Sequence, residues 1–455
     1  MQAETRKSSR PALALLGASA LVSGVLAAGA LAAASVPAFA ARTGRPPHAH
    51  NTIPVIHSRA NLSVLPAAGR IALAPASKSH QLFGVFCNSA TDCWAVGKIT
   101  TAHTSVNQVL HWTGKKWFSV KVPNQAGSAK GANNELFAVR CTSPKNCWAV
   151  GDSQKPGSNV AQLDQVLHYG GKSWSVVSAP APGGTADGDI NSLVDVACTS
   201  ATNCWAVGDY GIVGTTMQPE VFFNQVLHFD GKKWIFMKSP NPGGMTPGHV
   251  NFLDSVRCTT PTSCWAAGTD GPILPTPNLR NEILFSNGTK WTTVKVPNPV
   301  GTGKLHINIL NLLACTAKAD CWAVGVAGNL NGKKQFQHNE ALHWNGKTWV
   351  VIRTPNPDKA LDEFFGIACV SAQDCWAVGS AGLSPGLNEA EHWNGKKWSL
   401  VHTVNGGGTD PATTNTLTAV RCTSHSNCWA VGYSDTSDVD SIQILQWNGT
   451  KWQDS

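Results

Sequence analysis

Three features of the sequence predict an all-β repeat fold. Fourteen cysteines form seven pairs, each spaced i to i+6, and successive pairs begin 53 to 60 residues apart. The second cysteine of every pair is followed by tryptophan, usually as Cys-Trp-Ala-Val-Gly. Gly and Pro are abundant, at 43 and 26 residues, and after the first forty residues no long stretch has a helical apolar period. A repeat of this length is typical of a propeller blade. The sequence therefore predicts a seven-bladed β-propeller with four antiparallel strands per blade.

The repeat at residues 134–180 shows how four strands fit the period. Short apolar segments at 136–141, 147–151, 165–169 and 174–178 are predicted as strands a, b, c and d, separated by turns rich in Gly, Pro and Asn. All eighteen tryptophans occupy repeated positions. Seven follow a cysteine, seven close a turn of the Asn-Gly-Lys-x-Trp type, and four precede that turn.

Each cysteine pair is predicted to form a disulfide that closes the a–b hairpin of its blade. Facing strand residues lie about 4.5–5.5 Å apart, which is within the Cα range of a disulfide. The alternatives are metal ligands or a redox pair, but those uses favour closer spacings such as Cys-x-x-Cys. The predicted disulfides join Cys87 to Cys93, Cys141 to Cys147, Cys198 to Cys204, Cys258 to Cys264, Cys315 to Cys321, Cys369 to Cys375 and Cys422 to Cys428.

The N-terminal segment has the pattern of an export signal. Positive charges at Arg6, Lys7 and Arg10 precede an apolar run, and Ala38-Phe39-Ala40 is a small-x-small cleavage site. An uncleaved membrane anchor is the alternative, because the run is long enough to span a bilayer. We expect residues 1–40 to be a cleaved signal peptide, so that the protein is secreted with no membrane association afterwards.

The mature chain is expected to consist of a flexible linker at 41–60 and the propeller at 61–455. The chain ends three residues after Trp452, which predicts an outer strand of blade seven that is cut short. Residues 61–66 resemble an outer strand ending in Pro and are predicted to complete that blade.

The mature charge argues against a nucleic-acid partner. Without residues 1–40 the chain has 32 basic and 26 acidic residues, a net charge near +6, and no block of Lys or Arg. We expect a monomer with no cofactor and no metal.

The two faces of the predicted propeller differ in the variability of their connections. The a–b and c–d turns share one face, called the disulfide face here, and are short and alike. The b–c and d–a connections share the other, called the loop face. The spacing from the second cysteine to the turn-closing tryptophan varies from 23 to 30 residues, which places most length variation in the b–c connections. Variable loops on a rigid scaffold are where binding usually occurs.

One polar position recurs seven residues before the first cysteine of each pair. It is predicted to surround the mouth of the channel on the loop face, where it would bind a ligand. The alternative is that each side chain caps its own loop by an Asx-type hydrogen bond. The seven residues are His80, Asn134, Asn191, Asn251, Asn308, Asp362 and Asn415.

Histidines recur in strand c at five equivalent positions. They occur once per blade, so they cannot converge on one metal ion, and we interpret them as packing residues. They are His111, His168, His228, His343 and His392.

Acidic residues of the loop face are the candidates for catalysis. Any two could form the carboxylate pair of a glycosidase, but nothing in the sequence selects two, and solvated loop acids are the alternative. No catalytic motif of a common hydrolase or nucleotide-binding enzyme is present. The candidates are Asp152, Asp187, Asp189, Asp209, Glu220, Asp270, Asp358, Asp362, Glu363 and Glu389.

The Cys-Trp-Ala-Val-Gly and His-Trp-Asn-Gly-Lys-x-Trp patterns resemble repeats of secreted bacterial β-propeller proteins of the broad kelch and Asp-box class, over residues 80–455. The turn at 229–234 is similar to the Asp-box turn of sialidases, although most repeats have Asn in place of Asp and lack the leading Ser. The resemblance implies a propeller fold and export, and it transfers no catalytic residue.

These observations favour a non-catalytic binding or scaffold protein whose loop face engages an extracellular glycan, peptide or protein. The alternative is a secreted carbohydrate-active hydrolase or lyase that uses loop carboxylates at the channel mouth.

Overall fold

The computed structural model describes residues 78–157, 161–212, 221–331, 335–436 and 439–455, which contain 28 β-strands and no helix. The described part of the chain therefore has no apolar helix that could cross a bilayer. The predicted signal peptide (1–40), linker (41–60) and closing strand (61–66) lie outside the described residues.

The strands form seven consecutive repeats of four, lettered a to d. The a strands are β1 (Ser79–Ser89), β5 (Asn133–Ser143), β9 (Asp189–Ser200), β13 (His249–Thr260), β17 (His306–Ala317), β21 (Asp362–Ser371) and β25 (Thr413–Ser424). The b strands are β2 (Asp92–Thr101), β6 (Asn146–Gln154), β10 (Asn203–Ile212), β14 (Ser263–Pro272), β18 (Asp320–Asn329), β22 (Asp374–Ala381) and β26 (Asn427–Thr436). The c strands are β3 (Thr104–Trp112), β7 (Gln162–Tyr169), β11 (Val221–Phe229), β15 (Arg280–Ser286), β19 (Phe336–Trp344), β23 (Leu387–Trp393) and β27 (Val439–Trp447). The d strands are β4 (Trp117–Ser119), β8 (Trp174–Val176), β12 (Trp234–Phe236), β16 (Trp291–Thr293), β20 (Trp349–Val351), β24 (Trp398–Leu400) and β28 (Trp452–Asp454).

Within each repeat the four strands pair antiparallel in the order a-b-c-d. A single parallel bridge between Gln162 and Ile190 joins repeats 2 and 3 into one eight-stranded sheet, so the seven repeats make six separate sheets.

The seven predicted disulfides are all formed, one per repeat, and each joins facing residues of strands a and b. Their Cα–Cα distances of 3.9–4.0 Å are shorter than the spacing of about 4.5–5.5 Å that we expected for facing strand residues. The pairing is as predicted: the bonds join Cys87 to Cys93, Cys141 to Cys147, Cys198 to Cys204, Cys258 to Cys264, Cys315 to Cys321, Cys369 to Cys375 and Cys422 to Cys428.

The glycine of the Cys-Trp-Ala-Val-Gly motif is required by the close approach of strands a and b. Each of these seven glycines lies beside a β-bulge in the neighbouring a strand, for example between Leu310 and Leu312. A Cβ added at Gly325 would collide with the backbone oxygen of Ile309, and the equivalent glycines face the same backbone obstruction. A side chain therefore cannot be accommodated without moving the strand.

The tryptophan of the same motif joins each repeat to the next. Trp205 packs edge-on against Trp291 of the following repeat, with ring centroids 5.4 Å apart and planes at 82°. Both side chains are buried within a core shared by the two repeats. The other repeats use the same pair of positions, so the core is distributed over the junctions between repeats.

The last repeat packs against the first through this contact. Trp429 lies edge-on to Trp117, with centroids 5.3 Å apart. Thr418 Oγ1 donates a hydrogen bond to the carbonyl oxygen of Leu82, at 2.8 Å, and Leu82 and Trp429 belong to one apolar cluster. The seventh junction is therefore built like the other six.

The prediction that the outer strand of the seventh repeat is cut short was wrong. β28 has three residues, as every d strand does. The amide of Ser455 donates to Ile444 O at 3.1 Å, which matches the bond from Val294 N to Ile283 O in repeat 4. The role predicted for residues 61–66 stays a prediction.

Replacing Gly325 with alanine should destabilise the protein strongly, by about 3 kcal/mol or more, because the new methyl group collides with backbone. Gly170→Ala is the matched control, since a Cβ there would have no atom within 4 Å. Thermal unfolding followed by circular dichroism measures both. Equal melting temperatures for the two variants would contradict this explanation of the motif.

Candidate functional site

Five of the seven predicted channel-mouth residues are asparagines that hold the d–a loops. Asn251 accepts a hydrogen bond from Gly243 N (2.7 Å) and donates to Gly244 O (3.0 Å) and to Phe222 O of the preceding repeat (2.9 Å). Its side chain is fully buried. The same three types of bond are made by Asn134, Asn191, Asn308 and Asn415.

The remaining two members of this set differ from the asparagines. Asp362 is also fully buried and accepts a hydrogen bond from Asp358 N at 2.9 Å. Burial raises the pKa of Asp362 to about 7. His80 is half-buried, and its Nδ1 lies 3.4 Å from Gln108 Nε2. These contacts favour the loop-capping interpretation, and ligand binding by the seven residues stays a prediction without support from their geometry.

The loops that the asparagines hold share one backbone and differ in their exposed side chains. In the loop before β13, Gly244 N bonds to Asn241 O and His249 N bonds to Thr246 O, which defines two successive turns. The loops before β5, β9, β17 and β25 repeat both bonds. The loop before β21 is four residues shorter and is organised by Asp358 and Asp362. The exposed tips of the six loops carry Lys130, Asp187, Met245, Lys304, Lys359 and Asp410.

The histidines of strand c pack as the sequence indicated. His111 stacks on Trp94, with ring centroids 3.9 Å apart, and its Nε2 lies 2.8 Å from Asp92 Oδ1. The four equivalent histidines contact the tryptophan of their own repeat in the same way. Each histidine packs within its own repeat. In the described residues no group of three or more potential ligands is arranged to hold a metal ion.

Most of the candidate acids contribute to the scaffold. Asp152 is buried and accepts hydrogen bonds from Gln162 and Ser192, at 2.9 and 3.0 Å, which links repeats 2 and 3. Asp270 pairs with Arg280. Asp187 and Asp189 are at least partly exposed, Asp209 is buried, and Glu220 lies outside the described residues.

Buried carboxyl groups in strand c belong to a chain of hydrogen bonds between repeats. Asn339 Nδ2 donates to Glu389 Oε1 of the next repeat at 2.7 Å. Asn107 makes the corresponding bond to Gln165. Glu282 and Glu340 occupy the same position as Gln165, and burial raises the pKa of each well above its usual value. Glu and Gln both accept the hydrogen bond from Asn at this position.

Repeat 6 concentrates buried carboxyl groups. Glu391 replaces the leucine that other repeats place in strand c, and it is fully buried beside Glu389. Burial, together with the charge of neighbouring acids, raises the pKa of both groups. Burial also raises the pKa of Glu363 to about 7, although Asn311 Nδ2 donates to Glu363 Oε1 at 3.0 Å. The side chains of this cluster are almost wholly buried.

The cavity that the sequence analysis missed lies on the axis, at the disulfide end of the a strands. It has a volume of about 270 Å³ and is lined by residues from all seven a strands. Its charged lining residues are Arg140, Arg257, Arg421 and Asp195. Each arginine immediately precedes the first cysteine of its pair, a position that is Ala or Phe in the other four repeats. The presence of arginine in place of Ala or Phe at this one position was the sequence signal that could have located the cavity.

No protein-family model and no curated protein sequence matches the chain. The solved structures similar to it are β-propeller proteins. The β-propeller domain of the trilobed protease from Pyrococcus furiosus is 9% identical, with a TM-score of 0.44, and the match covers 82% of this chain and 98% of that one. An ulvan lyase is 8% identical (TM-score 0.49; 81% and 92% covered), and the α-L-arabinanase of Penicillium chrysogenum is 10% identical (TM-score 0.41; 68% and 91% covered).

The buried carboxyl groups should make the protein more stable at mildly acidic pH. The pKa of Glu363 is higher in the folded chain, at about 7, than the usual value near 4.5. Its contribution to the free energy of unfolding is therefore complete below pH 4.5 and is lost as the pH rises through 7. Glu363→Gln keeps an acceptor for Asn311 and should reduce, by several degrees, the fall in melting temperature between pH 5 and pH 8.

Calorimetry at both pH values measures this effect. Asp187→Asn is the control, because its carboxyl group lies at an exposed loop tip. The interpretation is wrong if Glu363→Gln has the same pH dependence as the unmodified protein.

Proposed function

We propose that the chain is a secreted, seven-bladed β-propeller that binds an extracellular glycan, peptide or protein through its loop face, without catalysis. The observation that carries this proposal is the contrast within the d–a loops. Their anchoring asparagines repeat while their exposed tips differ. A rigid base whose exposed tips carry Lys, Asp or Met in different loops is the arrangement of a recognition surface.

The strand pairing within repeats and the contacts between repeats support seven blades that close on themselves. Each four-strand repeat packs on the next by the same tryptophan contact, and the last packs on the first. The propeller neighbours have TM-scores below 0.5 and add nothing to this argument.

Secretion is supported by the cysteines and by the N-terminal sequence. Seven disulfides that use all fourteen cysteines are typical of proteins in oxidising, extracellular environments. The small-x-small site at Ala38–Ala40 gives a cleavage point for export.

A hydrolase is less well supported, because the candidate acids are poorly placed for it. Glycosidases of both stereochemical classes need two carboxyl groups beside one bound sugar. The axial cavity has one carboxylate, Asp195, which Arg257 already pairs at 2.5 Å. Asp362, Glu363 and Glu389 are buried and do not line the axial cavity.

The proposal is tested on an array of glycans and cell-wall polymers, scoring both retention of the mature protein and release of products. We expect retention without products. A variant that removes four tip side chains should lose at least tenfold in affinity for the retained polymer. Its substitutions are Lys130→Ala, Met245→Ala, Lys304→Ala and Lys359→Ala.

A control variant makes matched changes on the disulfide face, where three exposed lysines and one exposed valine are available. Its substitutions are Lys115→Ala, Lys347→Ala, Lys396→Ala and Val370→Ala. It should bind as the unmodified protein does. Product release, or a loss of affinity in the control variant alone, would refute binding by the loop face.

A further inference from the structure

The axial cavity breaks the symmetry of the repeat in a way that the scaffold does not require. The position before the first cysteine is alanine in repeats 3, 5 and 6, where the side chain leaves room at the axis. Repeats 2, 4 and 7 place Arg140, Arg257 and Arg421 there, and repeat 1 places Phe86. The small residues thus create the space into which three guanidinium groups converge.

Among the described residues, only Arg257 of the three arginines forms a direct ion pair with a carboxylate, although the charge of that carboxylate, Asp195, also acts on Arg140. Arg257 Nη1 donates to Asp195 Oδ2 at 2.5 Å and to Val256 O at 2.6 Å. Asp195 also accepts hydrogen bonds from Ser255 Oγ and Val256 N, at 2.9 and 3.0 Å. Most hydrogen-bond acceptor positions of the Asp195 carboxylate are therefore occupied by Arg257 and by the neighbouring Ser255 and Val256.

Arg140 and Arg421 lie over the ring of Phe86, with their guanidinium carbons 4.8 and 4.7 Å from its centroid. Within the described residues neither guanidinium has a hydrogen-bond partner, and Arg421 Nε is buried. Burial and the neighbouring arginines lower the pKa of Arg140, and burial and Arg257 lower that of Arg421 to about 10. The three cations are therefore close enough to repel one another.

We propose that this cavity is a binding site for an oxyanion, namely a sulfate, phosphate or carboxylate group, held by Arg140, Arg257 and Arg421. The cavity carries a net charge of +2 from three arginines and one aspartate. Buried cations without partners are costly, and guanidinium groups bind these oxyanions through paired N–H donors. The space of about 270 Å³ accommodates a small anion or one anionic sugar.

The site lies at the disulfide end of the axis, and the loop tips lie at the other end. The inference therefore goes beyond the loop-face proposal and does not depend on it. The protein can bind nothing on the glycan array while the cavity still binds an anion, and it can be retained on the array while the cavity binds none.

Differential scanning fluorimetry and isothermal titration calorimetry test the site with inorganic sulfate, inorganic phosphate and citrate, each against sodium chloride at equal ionic strength. We expect a saturable rise in melting temperature with at least one oxyanion. A double variant that combines Arg140→Gln with Arg421→Gln should weaken that binding at least tenfold. Arg353→Gln, which removes an exposed arginine, should leave it unchanged.

The melting temperature in low salt separates binding from a structural role. Because the arginines repel one another, the double variant should be at least as stable as the unmodified protein without added anion. A sulfated disaccharide compared with its unsulfated form distinguishes a free ion from an anionic group on a glycan. No saturable effect beyond that of chloride, or unchanged binding by the double variant, would overturn the proposal.

Discussion

The edge-on contact between two tryptophans of neighbouring repeats is the interaction on which the rest of the structure depends. At all seven junctions the ring centroids lie 5.1–5.4 Å apart with planes at 82–90°. Such geometry is preferred by the aromatic quadrupole and adds to the free energy of burial. Because every repeat uses it, the spacing between repeats is uniform. Residues of all seven a strands thereby line one cavity, and the loop tips lie at the opposite ends of these strands.

Repeated positions stabilise the scaffold, and departures from the repeat mark where function is proposed. The glycine of the motif recurs in all seven repeats, and the loop-anchoring asparagines and the strand-c hydrogen bonds from Asn to Gln or Glu recur in most of them, because each solves the same packing problem wherever it occurs. The tips of the d–a loops and the residue before the first cysteine face solvent or a cavity. That freedom allows the residue type to vary between repeats at the positions of Lys130, Met245 and Arg421.

The repeat, its four strands and its disulfides could be predicted from the sequence, because the spacing of the cysteines and tryptophans indicates which residues of neighbouring strands face each other. The polar position near the start of β13 was also found, but sequence alone could not show whether Asn251 faces a ligand or its own loop. Two of its three hydrogen bonds go to backbone groups of its own loop, at Gly243 and Gly244, and the third goes to Phe222 in the preceding repeat. The arginine cavity was missed because Arg140, Arg257 and Arg421 belong to non-adjacent repeats, and only closure around the axis brings them together.

Closure of the seven repeats is the central claim, and the most direct measurement compares two equivalent tryptophans. Trp291 packs at an internal junction, and Trp117 packs where the last repeat meets the first. If the repeats close on themselves, Trp117→Ala and Trp291→Ala should lower the melting temperature by similar amounts. The exposed neighbour Phe118 serves as control, because its replacement by alanine should have little effect. A Trp117→Ala variant as stable as Phe118→Ala would show that the first and last repeats do not support each other.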